Sequence, residues 1–122
     1  YCEVLYTGVA IGCLSAVLIS VNNLRDVDED RGNGKNTLAV KWGRRAAINL
    51  VRTLTATPYV IAMLMHDLSW AMLVFLPSFV LGLFIIKRIC SEVPGPQYNK
   101  YLAFAALQLI LFAAAVHLVR IL

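Results

Sequence analysis

The stretch VLYTGVAIGCLSAVLISVNNL, residues Val4–Leu24, decides how the rest of the chain is read. It carries no ionisable side chain except Tyr6 and Cys13. A helix needs roughly 20 apolar residues to cross the hydrocarbon core of a bilayer, and this segment supplies them. Three further segments do the same: about Ala46–Met65, with Arg52 in its first turns, about Ser69–Ile86, and about Tyr101–Leu118. The stretch Leu68–Ile86 contains no Asp, Glu, Lys, Arg or His. Of the 122 residues, 60% are hydrophobic and 15% charged, and the mean hydropathy is +0.73. A soluble domain carries about a quarter charged residues, and a chain this short cannot hide four apolar helices from water. The expected fold is therefore all-α and membrane-integral, with four transmembrane helices at about 4–24, 46–65, 69–86 and 101–118, in a lipid bilayer.

The connections are polar. Arg25–Arg45 is long, His66-Asp67-Leu68 is short, and Lys87–Lys100 contains Pro94-Gly95-Pro96, which cannot continue a helix. Pro58 and Pro77 fall inside the second and third helices, where each is expected to bend its helix. Gly8 and Gly12, with Ala16, form a small-residue stripe suited to close helix packing. The net charge of +4 describes loop placement, since no basic patch interleaved with aromatics is present, and nucleic acid is not an expected partner. Arg25, Arg31, Lys35, Lys41, Arg44 and Arg45 crowd the first loop, and Lys87, Arg88 and Lys100 lie in the third. These loops are expected on the cytoplasmic side of the cell membrane and the short turn outside, with Arg120 in mild disagreement. Trp42, Trp70, Tyr98 and Tyr101 are expected as interfacial anchors. Phe75, Phe79 and Phe84 are expected to face lipid or pack. Cys2, Cys13 and Cys90 lack metal spacing and are expected as small buried hydrophobes. The chain opens at Tyr1 on a spanning segment with no basic n-region or cleavage site, so it reads as the C-terminal part of a longer protein and not as a leader.

One segment departs from all of this. Asn22-Asn23-Leu24-Arg25-Asp26-Val27-Asp28-Glu29-Asp30-Arg31-Gly32-Asn33-Gly34-Lys35 begins inside the end of the first helix and runs into the loop. Asn22, Asp26 and Asp30 stand four residues apart and form one stripe on a helix. Carboxylates a turn apart repel, and at a helix C-terminus they also oppose the dipole. A divalent cation offsets both costs. Mg²⁺ prefers oxygen ligands and is held by one or two carboxylates plus substrate phosphates. Arg25, Arg31 and Lys35 are placed to meet phosphate oxygens. The combination suits ionisation of an allylic diphosphate. The competing reading is a merely solvated loop after a spanning helix. Against it stand the helical period of the stripe and the two asparagines at the membrane boundary, where polar groups are costly. Gly32 and Gly34 suit helix-ending positions. They do not form a phosphate loop, because Asn36 follows Gly34-Lys35 where Ser or Thr is wanted.

Asn22-Asn23-Leu24-Arg25-Asp26, then Asp30, then Gly34-Lys35-Asn36-Thr37-Leu38-Ala39-Val40 and Gly43 resemble the second aspartate-rich motif of the UbiA superfamily of intramembrane prenyltransferases. The opening and the Gly-Lys-x-Thr-Leu-Ala-Val tail are most similar to the 1,4-dihydroxy-2-naphthoate polyprenyltransferases of menaquinone biosynthesis. The resemblance implies the last four helices of a nine-helix bundle. It also implies a Mg²⁺-dependent transfer of a polyprenyl group from polyprenyl diphosphate to 1,4-dihydroxy-2-naphthoate, forming demethylmenaquinone with loss of CO₂ and diphosphate. On it, Asp26 and Asp30 hold the metal, and Asp28 between them assists. Asn22, Asn23, Arg25, Arg31, Lys35 and Thr37 fall near the diphosphate or the aromatic acceptor, and Thr37–Trp42 caps the site. The family carries another motif, Asn-Asp-x-x-Asp-x-x-x-Asp, on an earlier helix, and nothing here matches it. The resemblance therefore implies an incomplete enzyme that needs an N-terminal half or a partner chain. The rival readings are a different acceptor such as 4-hydroxybenzoate, a CDP-alcohol phosphotransferase, whose Asp-Gly-x-x-Ala-Arg is absent, and a non-catalytic membrane assembly subunit. His66 and His117 are expected to have no part in catalysis. Arg52 is expected to snorkel or to reach an anionic substrate.

Overall fold

Without water to receive them, the peptide groups of the apolar segments bond within their own segment, and each becomes a helix. The computed structural model describes residues 2–66 and 70–121. Among these, α1 spans Cys2–Arg25, α2 Val27–Gly32, α3 Leu38–Trp42, α4 Arg44–Met65, α5 Ala71–Ser91 and α6 Asn99–Ile121, with a 3₁₀ turn at Pro96–Tyr98 before α6. No strand occurs among the described residues. Four helices, α1, α4, α5 and α6, are long and apolar enough to cross a membrane. Of the expected short turn His66-Asp67-Leu68, all but His66 lies outside the described residues.

α1 packs on α4 and on α6, and α5 packs on α6 and, more sparsely, on α4, so the four long helices close a ring. The reason lies in where the small and branched residues fall. Ala10, Leu14, Val17, Val21 and Leu24 recur every three or four positions along α1 and are buried. The opposite face, with Val4, Leu5, Val9 and Ile19, is exposed, as lipid-facing surface should be. Two cores result. One, at the Asp26 end, joins Val17, Val21, Val51, Ile85 and Ile89 to Tyr98 and Tyr101. The other, at the opposite end, is built on Leu14, Tyr59, Phe75 and Phe112. Tyr59 meets Phe79 and Phe112 edge-on, with ring centroids 5.1 and 5.5 Å away.

Several expectations are corrected. Gly8 and Gly12 are exposed, and a Cβ added at either would meet no atom within 4 Å, so the stripe is not a packing seam between the described helices. α5 runs through Lys87 and Arg88 to Ser91, a turn beyond the apolar run, and Arg88 pairs with Glu92 four residues on at 3.4 Å. Tyr98 and Tyr101 are fully buried and are not interfacial anchors. The Tyr98 hydroxyl lies 2.9 Å from the Ile89 carbonyl and 2.8 Å from that of Glu92, and Tyr101 takes up the Glu92 carboxylate. Together they cap the end of α5. Cys2 is exposed, and Cys13 and Cys90 are half-buried. Arg120 pairs with Glu3 at 3.3 Å.

The close approach that does occur uses a different glycine. At Gly82 on α5, a Cβ would sit 2.4 Å from Gln108 Nε2 and 2.8 Å from Thr55 Cγ2. Gln108 cannot swing away freely, because its amide donates to the Tyr59 hydroxyl at 3.0 Å, which in turn reaches Ser78 at 3.0 Å. All three side chains are buried. Overpacking typically costs about 1–3 kcal/mol. Gly82→Ala should therefore lower the melting temperature in detergent, whereas Gly12→Ala should leave it unchanged in this chain. Equal melting of the two variants would contradict the packing described.

Candidate functional site

The polar stripe survives the end of α1. Asp26 breaks the regular helix at φ −98°, ψ 13°, but its amide still donates to Asn22 O at 3.1 Å and its carbonyl accepts from Asp30 N at 2.8 Å. The helical period thus carries through from Asn22 to Asp30. α2 ends where Gly34 takes φ +74°, a backbone setting natural to glycine, and the Lys35 amide returns to Asp30 O at 2.9 Å. Gly32, by contrast, lies within α2.

Arg25 organises the cluster. Its Nε and Nη2 grip both oxygens of Asp26 at 2.8 and 2.9 Å. Nη2 also reaches Asn22 Oδ1 at 2.6 Å, and Nη1 reaches Asn99 Oδ1, at the start of α6, at 2.6 Å. One guanidinium therefore binds the end of α1 to the beginning of α6, using the fork geometry that a lysine lacks. That hydrogen bonding holds the Asp26 carboxyl below the usual carboxylate range, against an opposing contribution from desolvation. Asp30 is differently placed. It is 7% exposed, and Lys35 Nζ lies 3.7 Å from its carboxylate.

The remaining residues divide. Asn22 joins the Arg25 cluster, whereas Asn23 lines a small cavity of about 20 Å³ with Ser20, Leu38 and Ala47. Asp28 and Arg31 are exposed and lie 3.5 Å apart on the surface of α2. Thr37 caps α3, its hydroxyl accepting from Val40 N at 3.3 Å. Asn99 was not singled out from the sequence. Its position just after a proline-rich turn reads as an ordinary helix start, and no local spacing connects it to Arg25, 74 residues away.

The donor set suits a hard divalent cation, since carboxylate and amide oxygens dominate it. Asp26 retains a partly accessible side chain, 27% exposed, while that of Asp30 is only 10% exposed. Among the described residues no three His, Cys, Asp or Glu side chains gather as a metal group. The cluster fits part of a coordination shell, and the rest would come from water, substrate phosphate or protein outside this chain.

Four apolar helices carrying an arginine–carboxylate–amide cluster at one end make this a membrane protein with a polar site at the edge of the bilayer. Residues 2–107 match the UbiA prenyltransferase family, and the chain belongs to that family. It is 29% identical over 116 residues to the 1,4-dihydroxy-2-naphthoate octaprenyltransferase of Escherichia coli (strain K12), covering 89% of this chain and 38% of the relative. It is 33% identical over 113 residues to the protein of that name from Mycobacterium leprae (strain TN), covering 92% of this chain and 38% of the relative. A Haemophilus influenzae relative with the same name is 28% identical over 97 residues, covering 76% of this chain and 32% of its own length. The chain thus spans well under half of the curated relatives it matches. No solved structure matches it.

The Arg25 grip fixes a direction for titration. A carboxyl with a lowered folded pKa contributes stability above its unfolded pKa and loses it only as pH falls through the folded value. Asp26 should therefore remain ionised while ordinary carboxylates protonate. Arg25→Leu should move its titration upward, read by carboxyl ¹³C NMR on aspartate-labelled protein. An unchanged titration would show that Arg25 does not hold it.

Proposed function

We propose that this chain is the part of a polyprenyl transferase that binds and helps ionise the prenyl diphosphate. The observation that carries the reading is the Asn22–Arg25–Asp26–Asn99 cluster, held at the end of a membrane helix and followed one turn later by Asp30. The names of its relatives support 1,4-dihydroxy-2-naphthoate as the acceptor, and we infer that its prenylation releases CO₂ and diphosphate.

Asp26 and Asp30 would hold Mg²⁺, which when bound supplies charge neutralisation to the departing diphosphate. Arg25 and Lys35 are matched to phosphate oxygens by charge and position, each standing beside one of those carboxylates. Asn22 and Asn99 hold the Arg25 fork in a fixed plane, so the cation is placed before substrate arrives. Asp28 and Arg31 lie exposed on α2, and we assign them, with Asn23 and Thr37, the approach of the diphosphate and acceptor. Removing either metal-holding carboxylate should cost several kcal/mol of transition-state stabilisation.

We also propose that the 25–45 loop faces the cytoplasm, on the strength of its basic residues. A second group of acidic ligands and the walls of the pocket would come from protein outside this chain, consistent with the greater length of the relatives.

In the full-length protein, Asp26→Ala and Asp30→Ala should each abolish Mg²⁺-dependent formation of prenylated naphthoquinol in membranes, with insertion preserved. Glu3→Ala, at the far end of α1 where its partner is Arg120, should be near normal. Comparable activity of all three would return the segment to a solvated loop. Orientation is tested separately. With Cys2, Cys13, Cys90 and any other native cysteine replaced by Ser, an Asn33→Cys variant should resist an impermeant thiol reagent added to intact cells, and ready labelling from outside would reverse the assignment.

A further inference from the structure

The seam between α4 and α5 is the most sparsely packed of the four in the ring, and it holds two cavities of opposite character. At the Asp26 end of the bundle, an open cleft of about 440 Å³ is lined by Arg44, Arg45, Asn49, Arg52, Ile48 and Cys90. Towards the other end, an apolar cleft of about 110 Å³ lies between Tyr59 and Met63 of α4 and Phe75 and Phe79 of α5.

Among the described residues the three arginines have no carboxylate to answer them, and none makes an ion pair. Glu92, at the end of α5, is occupied by Arg88 and Tyr101. Arg44 donates to the carbonyls of Ile89, Cys90 and Glu92 at 2.8–3.1 Å and so closes the end of α5. Arg52 lies about two turns, ~12 Å, further along α4 and reaches only Asn49 Oδ1 and Cys90 Sγ. Arg45 makes no side-chain hydrogen bond among the described residues. Gly43, the N-cap of α4, offers no capping side chain, and Arg44 and Arg45 of the cleft stand in the first turn, at the positive end of that helix. Guanidinium groups lining one cleft repel one another. An anion offsets that repulsion.

We propose that the α4–α5 seam binds an anionic phospholipid, with its phosphate between Arg45 and Arg52 and an acyl chain running along the seam into the apolar cleft. The spacing fits, since Arg52 to Met63 is eleven residues, or about 16 Å of helix, on the scale of an acyl chain. The chemistry also selects against a metal-loaded diphosphate at this place, because no acidic side chain lines the cleft and such a head group wants carboxylates as well as cations. Direct arginine forks suit a phosphate that carries no metal.

The test uses the full-length protein in nanodiscs of phosphatidylcholine, with or without phosphatidylglycerol, and a third arm of phosphatidylcholine with inorganic phosphate in the buffer. Native mass spectrometry reads retained lipid, and thermal melting reads stabilisation, so turnover is not needed and failure here leaves the transferase reading standing. Phosphatidylglycerol should be retained in preference to phosphatidylcholine and should raise the melting temperature, while inorganic phosphate should do neither. R45Q/R52Q should retain about tenfold less phosphatidylglycerol, with its melting in pure phosphatidylcholine unchanged. Arg44 is left alone because it secures α5. Should R45Q/R52Q fail to fold, R45K/R52K decides, and a several-fold loss of retention is expected because lysine lacks the fork. Equal retention of the two lipids overturns the proposal, as does full stabilisation by inorganic phosphate alone. Wild-type retention by the variant that folds overturns it too.

Discussion

A bilayer gives an exposed peptide group nothing to bond with, and the whole arrangement of this chain follows from that constraint. It forces the apolar segments into helices, but it does not by itself pull helices together, because lipid tails solvate leucine as well as another leucine does. Association must come from close approach and from polar groups that find each other. Both are present at one level of the bundle. Gly82 lets α5 come against Gln108 of α6, and Gln108, Tyr59 and Ser78 bond across three helices. No buried side-chain polar atom among the described residues is left unpartnered. In hydrocarbon that completeness matters more than the number of bonds, since each unmade one would carry its full desolvation cost.

At the Asp26 end the same economy governs charge. Each of the two carboxylates in the stripe is answered by a cation of its own, Asp26 by Arg25 and Asp30 by Lys35. The two pairs are not equivalent. The first is bidentate and partly open, while the second puts a nearly buried carboxylate beside an exposed lysine. Position in the sequence made them look like twins, and packing made them different, because Asp30 turns under the loop that Gly34 reverses.

The four spans were legible because lipid imposes a length and composition that no soluble element shares, and the stripe was legible because it kept a period where a loop has none. What the sequence concealed was rotation about each helix axis. Ser78 and Gln108 are single polar residues in apolar runs, and a run that is apolar on every side does not say which side faces inward. Tyr98 and Tyr101 have the composition of interfacial anchors, and only the carbonyls at the end of α5 turn them inward. Arg44 looked like one more loop cation, yet it ends the helix that follows in the chain. Asn99 was hidden by distance alone. The small-residue stripe shows the converse: its pattern was clear, and among the described residues nothing covers Gly8 or Gly12.

Arg44 has a geometric consequence. It is the first residue of α4, and it grips the carbonyls around the last residues of α5, while the chain itself joins the two helices at their other ends. The pair is thus a closed frame with two sides of 22 and 21 residues. Sides of a closed frame must match in length, and each carries a proline in its middle portion, Pro58 in one and Pro77 in the other. A residue inserted into either side would lengthen it by about 1.5 Å. At the described end of the pair, the added length would bear on the Arg44 clasp and on the arginine cleft beside it.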